Sequence, residues 1–372
     1  MNLKDVVVRQ VAMKLKQPFQ TANGLVVTRD TLIIEAYDHD GYVGYGECVA
    51  FADPFYTPET TTTAWDMLKH FILPVIQKSR IDHPNQVHDT LSSIQGHQMA
   101  KASIETALWD LYAKQQGMPL KDILGGVYDH VESGVVLSLS DDLSSQVKHY
   151  KKKGYKRYKL KVQKGQERET IDKARQVLGD APIMFDGNGI YEPEDMLHLT
   201  KLDDLDLHMI EQPFRQDDFF YHHQLRKEMK TKICLDESIQ SEHDAFQAME
   251  LGAADTFNVK LGRVGGYHVA QMIHHYAKVA NMPLWCGGML ETGIGRAHNV
   301  ILASLEQFTL PGDLSESERY WEQDIIKQPF KVKNGLVQVP TKPGIGVTVD
   351  HKLMDKLTVR QFTFDLATTQ QL

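Results

Sequence analysis

Apolar and polar positions change their rhythm along this chain, and the rhythm divides it. Over the first forty or so residues they alternate, which predicts strands at Val6–Val8 and across 31–37. Asp38-His39-Asp40-Gly41 reads as a turn into a third run, 42–47. Between the first two runs lies Gln17-Pro18-Phe19-Gln20-Thr21-Ala22-Asn23-Gly24, whose Pro, Gly and Asn content predicts a loop. Met99, Ile104, Ala107, Leu108, Leu111 and Tyr112 then recur at three- and four-residue steps, predicting one apolar helix face, stopped by Gly117 and Pro119.

From about residue 131 short β-rich runs alternate with helical stretches. The predicted strands are 134–139, 157–162, 182–185, 207–210, 233–235, 256–259, 283–285 and, weakly patterned, 308–310. Segments 167–178, 193–202 and 266–280 between them favour helix. Strand–helix alternation implies parallel strands joined by crossover helices, and eight at a near-constant period imply a closed barrel. The class expected is α/β: seven β/α units and a final strand, with the tail after about Lys331 returning to the N-terminal domain. The expected division is 1–125, 126–330 and 331–372.

The ends of these strands carry the chemistry. The second barrel strand reads Lys159-Leu160-Lys161, the third ends in Asp186, the fourth in Glu211, the fifth in Asp236 and the sixth in Lys260. From Lys161 onward the spacings are 25, 25, 25 and 24 residues, one β/α unit each. Five ionisable groups therefore stand on one face of the barrel, the face where barrel enzymes keep their active sites. Three converging carboxylates repel one another unless a cation joins them, and an all-oxygen set selects a hard ion, Mg²⁺, with Mn²⁺ able to substitute. The two lysines lie on either side of this triad in strand order. A cation against a substrate carboxylate stabilises the charge that develops when the neighbouring carbon loses its proton, and a lysine can be the base. Lys159, on the same side of its strand as Lys161, is expected to help depress it, and Lys161 is the expected base.

Composition narrows the remaining classes. The 372 residues carry a formal net charge of −8, which argues against a nucleic-acid partner. Three cysteines, Cys48, Cys234 and Cys286, form no C-x-x-C pattern, and no run of about 18 apolar residues occurs, so neither a disulfide framework nor a membrane span is expected. The first residues lack the apolar core, about 7–15 residues long, of a signal peptide. A cytoplasmic protein acting on a small carboxylate is expected. Gly262-Arg263-Val264-Gly265-Gly266 reads either as a plain turn into a helix or as a turn that presents Arg263 to an anionic substrate. His222-His223 and His274-His275 read as surface or packing residues, and Cys234 and Cys286 as buried strand residues. Phe19, Phe55 and Tyr56 are either local core or loop aromatics that shape a site.

These motifs resemble the enolase superfamily, in its muconate-lactonizing-enzyme-like branch, over nearly the whole chain. Lys159-Leu160-Lys161, Asp186-Gly187-Asn188, Ile210-Glu211-Gln212-Pro213, Leu235-Asp236-Glu237-Ser238 and Asn258-Val259-Lys260 stand in the branch's order. Gln17 to Thr21, Gly46 to Val49, Lys260 to Gly266, Gly287 to Asn299, Asp313-Leu314-Ser315 and Arg319-Tyr320-Trp321 resemble its o-succinylbenzoate synthase/N-succinylamino acid racemase group. The resemblance implies an α+β capping domain from both termini over a modified TIM barrel, (β/α)₇β. It implies that Asp186, Glu211 and Asp236 bind Mg²⁺ and that Lys161 and Lys260 are an acid/base pair on opposite faces. It further implies that Phe19 and Tyr56 line the site and that backbone N–H groups near Gly288, Met289 and Leu290 hold a succinyl carboxylate. Ser138, Asn188, Arg263 and Lys159 would be supporting contacts, and a homo-oligomer is expected. The implied reaction is dehydration of 2-succinyl-6-hydroxy-2,4-cyclohexadiene-1-carboxylate, or racemisation of N-acylated amino acids, on the same residues. Two positions depart from the group: Val136 stands where a serine is frequent, and Gly187 where alanine is usual. The competing class is a non-catalytic binding protein on a retained barrel, which the five intact groups disfavour.

Overall fold

The computed structural model describes residues 1–21, 24–137 and 142–366, with side chains for all of these except 19–21 and 24–25. Strands β1 (Leu3–Thr21), β2 (Gly24–Asp38) and β3 (Val43–Cys48) form an antiparallel sheet. Its fourth member comes from the other end of the chain, because β13 (Thr358–Asp365) pairs with β1 from Asp5↔Asp365 onward. The expected loop at 17–24 is instead the end of a long hairpin, with Phe19↔Val26, Gln20↔Leu25 and Thr21↔Gly24 in register. Pro18 is tolerated because it falls where the ladder slips, between Lys14 and Phe19, and no N–H is required of it there.

Helix Gln98–Gln115 is buried on nearly every side, not along one apolar stripe. It lies between the cap sheet and the barrel. Gly44 and Gly46 of β3 let its backbone approach: a Cβ on Gly46 would stand 2.0 Å from the Ser103 carbonyl oxygen. Two acids on this helix take buried places that periodicity does not reveal. Asp110 accepts from the Tyr45 N–H and from the Lys114 ammonium, and Glu105 from the Trp109 indole.

A short antiparallel pair, β4 (His130–Glu132) with β12 (Leu336–Gln338), precedes the barrel. Seven parallel strands then curl in sequence order: β5 (Gly134–Leu137), β6 (Arg157–Lys161), β7 (Ile183–Asp186), β8 (Met209–Glu211), β9 (Lys232–Leu235), β10 (Thr256–Val259) and β11 (Leu284–Cys286). Helices Glu167–Leu178 and Tyr267–Val279 match the predicted segments, and 193–202 splits into a 3₁₀ turn and a short helix, Met196–Thr200. The eighth strand is not the regular run expected at 308–310. The segment 307–313 closes the barrel irregularly, bonding β11 through Leu284 N–H to Gln307 O (2.9 Å) and Asp313 N–H to Cys286 O (2.9 Å), and β5 through Gly134 N–H to Gly312 O (2.7 Å). Pro311 in its middle has no N–H to give a ladder.

Inside the barrel, Met184, Met209, Cys234 and Trp285 pack as an apolar plug, with Leu310 against it. Side chains alternate along a strand, so the next inward positions are Asp186 on β7, Glu211 on β8 and Asp236 just past the end of β9. The plug is the apolar floor on which the polar mouth rests.

Candidate active site

Asp186 and Glu211 are direct neighbours across β7 and β8, and Asp236 follows the end of β9. All three are buried, at 5%, 0% and 1% exposure. Lys161 Nζ stands 2.7 Å from Asp186 Oδ2 and 2.6 Å from Asn188 Oδ1, and its side chain keeps 28% of its exposure. Lys260 Nζ is enclosed, 2.7 Å from Asp236 Oδ2 and 2.9 Å from the Tyr56 hydroxyl. Tyr56 comes from the cap, so one aromatic side chain ties the cap to the barrel mouth.

Lys159 lies below Lys161 and points inward. It is bonded to Glu211 Oε2 at 3.0 Å and Asp313 Oδ2 at 2.9 Å, with Asp186 Oδ2 at 3.6 Å. Burial works against its charge, but Asp313, Glu211 and Asp186 outweigh that and hold its pKa well above the ordinary lysine value. Burial, and then the neighbouring carboxylate of Asp186, push Glu211 up to about 8. Burial acts the same way on Asp236, yet Arg263 and Lys260 overcome it and hold that carboxyl below its usual range.

Asn188, in the left-handed region at φ 46°, donates to Glu237 Oε1 at 3.1 Å and accepts from Lys161. Arg263 is 3% exposed and each of its nitrogens has a protein partner: Ile239 O (2.8 Å), the Asn258 carbonyl, Asp236 and the Tyr56 hydroxyl. The run around it is a helical turn, Leu261–Val264, followed by two glycines at positive φ. Met289 and Leu290 are buried, Leu290 with φ 57°, and the Met289 N–H donates to Glu291 Oε1 at 2.7 Å. Gly288 packs beside the Asp313 carbonyl, where a Cβ would meet that oxygen at 2.8 Å. Ser138 and the Phe19 side chain lie outside the described residues. Phe55 and Tyr56 pack on Phe51, at ring separations of 4.7 and 6.4 Å. His222 is buried, His275 exposed, and Cys234 and Cys286 are buried free thiols.

Sequence reasoning did not single out Asp313 as a working residue. It is 8% exposed, and its Oδ1 takes the Arg157 guanidinium at 2.7 Å while Oδ2 takes Lys159. The available signal was position, since Asp313 ends the eighth, closing segment as the other acids end theirs. Asn258, bonded to Glu211 Oε1 at 2.9 Å, and Gln212, whose Oε1 accepts from the Asp236 and Ser238 N–H groups, were also missed. Each lies within two residues of a predicted group.

As placed, the carboxylates face lysines and Arg263. Among the described residues no set of three or more His, Cys, Asp or Glu side chains is drawn together tightly enough to grip a metal ion. The donor chemistry nonetheless fits one. The set is all oxygen and buried, and burial, with the neighbouring Asp186 carboxylate, works against the charge of Glu211. A hard divalent cation suits that set better than a soft or redox metal.

Residues 3–125 match the model of the mandelate racemase/muconate lactonizing enzyme N-terminal domain, and residues 142–353 match that of the enolase C-terminal domain-like family. The chain belongs to the enolase superfamily. Within the superfamily it is 44% identical to an o-succinylbenzoate synthase of Bacillus subtilis, over 98% of each chain. It is 38% identical to an N-succinylamino acid racemase of Thermus thermophilus, covering 97% of this chain and 98% of that one. A crystal structure of a superfamily member from Listeria innocua superposes with a TM-score of 0.95 at 38% identity, covering 98% of this chain and all of the other. No helix among the described residues is long and apolar enough to cross a membrane.

Proposed function

We propose that this protein is an o-succinylbenzoate synthase, removing water from 2-succinyl-6-hydroxy-2,4-cyclohexadiene-1-carboxylate to leave 2-succinylbenzoate. The observation that carries this reading is the unequal setting of the two lysines. Lys161 is part-exposed, with two polar partners at the mouth, whereas Lys260 is enclosed by Asp236, Tyr56 and the Tyr56 ring, 4.8 Å from Nζ. Burial opposes a charge on Lys260, but Asp236 overcomes it and raises its pKa.

Asp186, Glu211 and Asp236 would hold Mg²⁺, or Mn²⁺ in its place. When bound, the cation would supply positive charge against the substrate carboxylate as the neighbouring carbon loses its proton. Lys161 takes that proton. The same ammonium then gives it to the departing hydroxyl on the same face, so one base serves both halves and water leaves. Lys260 remains an ammonium on the other face and opposes the negative charge on the carboxylate. Lys159 stays charged below them. Residues 1–125 and 331–372 would form the cap and 126–330 the catalytic barrel, a division supported by the β1–β13 pairing. Association into a homo-oligomer and a cytoplasmic setting belong to the same reading.

Racemisation of N-succinylamino acids is the second reading, favoured by the likeness to the Thermus thermophilus racemase and by a lysine on each side of the triad. It requires Lys260 to give up its proton, which its surroundings resist. The test is a paired assay with Mg²⁺: dehydration followed by absorbance, and racemisation followed by optical rotation. The expected result is dehydration with racemisation weaker or absent. Racemisation without dehydration would replace the first reading by the second, and neither activity would remove both.

A further inference from the structure

An ammonium ion and a divalent cation want the same oxygens. In this structure the Lys159 ammonium lies between three carboxylates: Asp313 at 2.9 Å, the two oxygens of Glu211 at 3.0 and 3.3 Å, and Asp186 at 3.6 Å. Glu211 and Asp186 belong to the metal triad proposed above, and Asp313 does not. At 5% side-chain exposure Lys159 has no water to retreat into, so its position is a contest among these three acids.

Asp313 is fixed from several sides as an anchor for Lys159 outside the triad. Its Oδ1 is fixed by Arg157 Nη2 at 2.7 Å, leaving Oδ2 turned to Lys159. Its N–H donates to the Cys286 carbonyl at 2.9 Å, and its own carbonyl accepts from Arg296 Nη1 at 3.0 Å. Arg157 is held in turn by the Pro311 carbonyl at 3.0 Å and lies over the Trp285 ring, 4.4 Å from its centroid. Trp285 carries Lys159 as well, 5.1 Å from its centroid. Two cations therefore share one indole and one carboxylate in the seam where the barrel closes.

We infer that Asp313 is a positioning residue that gives the Lys159 ammonium an anchor outside the triad, so that Lys159 can stay in place when a divalent cation takes the oxygens of Glu211 and Asp186. The inference rests on the metal role proposed for the triad. Asp313 touches neither the reacting atoms nor the metal site; it acts through where it keeps a competing positive charge. Without it, Lys159 falls back on the triad and blocks it.

The test is calorimetric titration of Mn²⁺ into metal-free protein, with no substrate present, for wild type, Asp313→Asn, Lys159→Met and the double variant. Circular dichroism establishes that each is folded. Asp313→Asn is expected to bind Mn²⁺ about tenfold more weakly, the usual scale for a change just outside a metal's ligands. Lys159→Met is expected to bind at least as tightly as wild type, and adding Asp313→Asn to it is expected to change nothing further. If wild type binds Mn²⁺ and Asp313→Asn binds it equally well, the inference fails while the metal reading stands. If Asp313→Asn weakens binding by the same factor with Lys159 already removed, Asp313 does not act through the lysine. Should Asp313→Asn not fold, Lys159→Met alone decides: tighter or unchanged binding supports the inference, and weaker binding overturns it. Absence of Mn²⁺ binding by wild type overturns both the inference and the metal reading.

Discussion

At the scale of single residues, charge is ordered by depth. Lys159 sits lowest and is wholly paired, Lys260 is enclosed, and Lys161 alone of the three keeps a substantial exposed fraction, 28%. A base must meet its substrate, and of the three lysines Lys161 is the one open to it. Lys161→Ala is therefore expected to lower turnover by about 10³-fold or more, within the usual reach of general base catalysis. It should also abolish exchange of the substrate α-proton with solvent deuterium, followed by proton NMR, while the circular dichroism spectrum stays that of the wild type. A variant that still exchanges the proton at the wild-type rate would take the base role from Lys161.

At the scale of elements, close approach and burial set the tolerances. Gly46 brings β3 against the backbone of helix Gln98–Gln115, and an added methyl would stand 2.0 Å from the Ser103 carbonyl and 2.9 Å from the Ala107 nitrogen. Backbone must move to admit it, so Gly46→Ala is expected to cost about 1–3 kcal/mol, measured as a shift of the denaturant midpoint. His222, near the start of helix Phe219–Glu228, works through its neutral form. The Phe214 N–H donates to Nε2, which leaves Nδ1 as the donor to the Asp218 carbonyl. Burial lowers its pKa to about 4, against 6.5 for an ordinary histidine. Between those values the unfolded chain binds the proton more readily than the folded one. This contribution is thus present in full above about pH 6.5 and is lost as the pH falls toward 4, on the order of 3 kcal/mol in all. Urea melts at pH 7 and pH 4.5 should show a smaller loss for His222→Gln than for wild type; equal losses would mean that the acid sensitivity lies elsewhere.

At the scale of the whole molecule, cap and barrel are joined by buried carboxylates as well as by apolar packing. Glu105 of the cap helix accepts from the Tyr267 and His268 N–H groups at the start of helix Tyr267–Val279, at 2.9 and 2.8 Å. Glu47 of β3 does the same for the Thr292 and Gly295 N–H groups at helix Gly293–Leu302. These acids stand where a helix leaves donors unpaired and its dipole is positive. Glu105→Ala is expected to leave a single unfolding transition at a lower midpoint, by about 1–3 kcal/mol, and to speed hydrogen exchange at the Tyr267 and His268 amides. Unchanged exchange there would mean that the carboxylate is not what seals this seam.

What the sequence alone determined follows from this layering. Lys161, Asp186, Glu211, Asp236 and Lys260 recur at one β/α unit, and strand ends in a parallel barrel share one face, so local period was enough to place the barrel and its mouth. The tertiary structure decided what depends on contacts distant in sequence. It turned the Gln17–Thr21 stretch into hairpin, because pairing with β2 overrides the loop preference of Pro and Gly. It buried helix Gln98–Gln115 all round, because two layers press on it at once, and it made the eighth strand irregular around Pro311. It also set Asp313 against Lys159, 154 residues apart in the chain, a pairing that no local pattern can encode because barrel closure alone brings the two together.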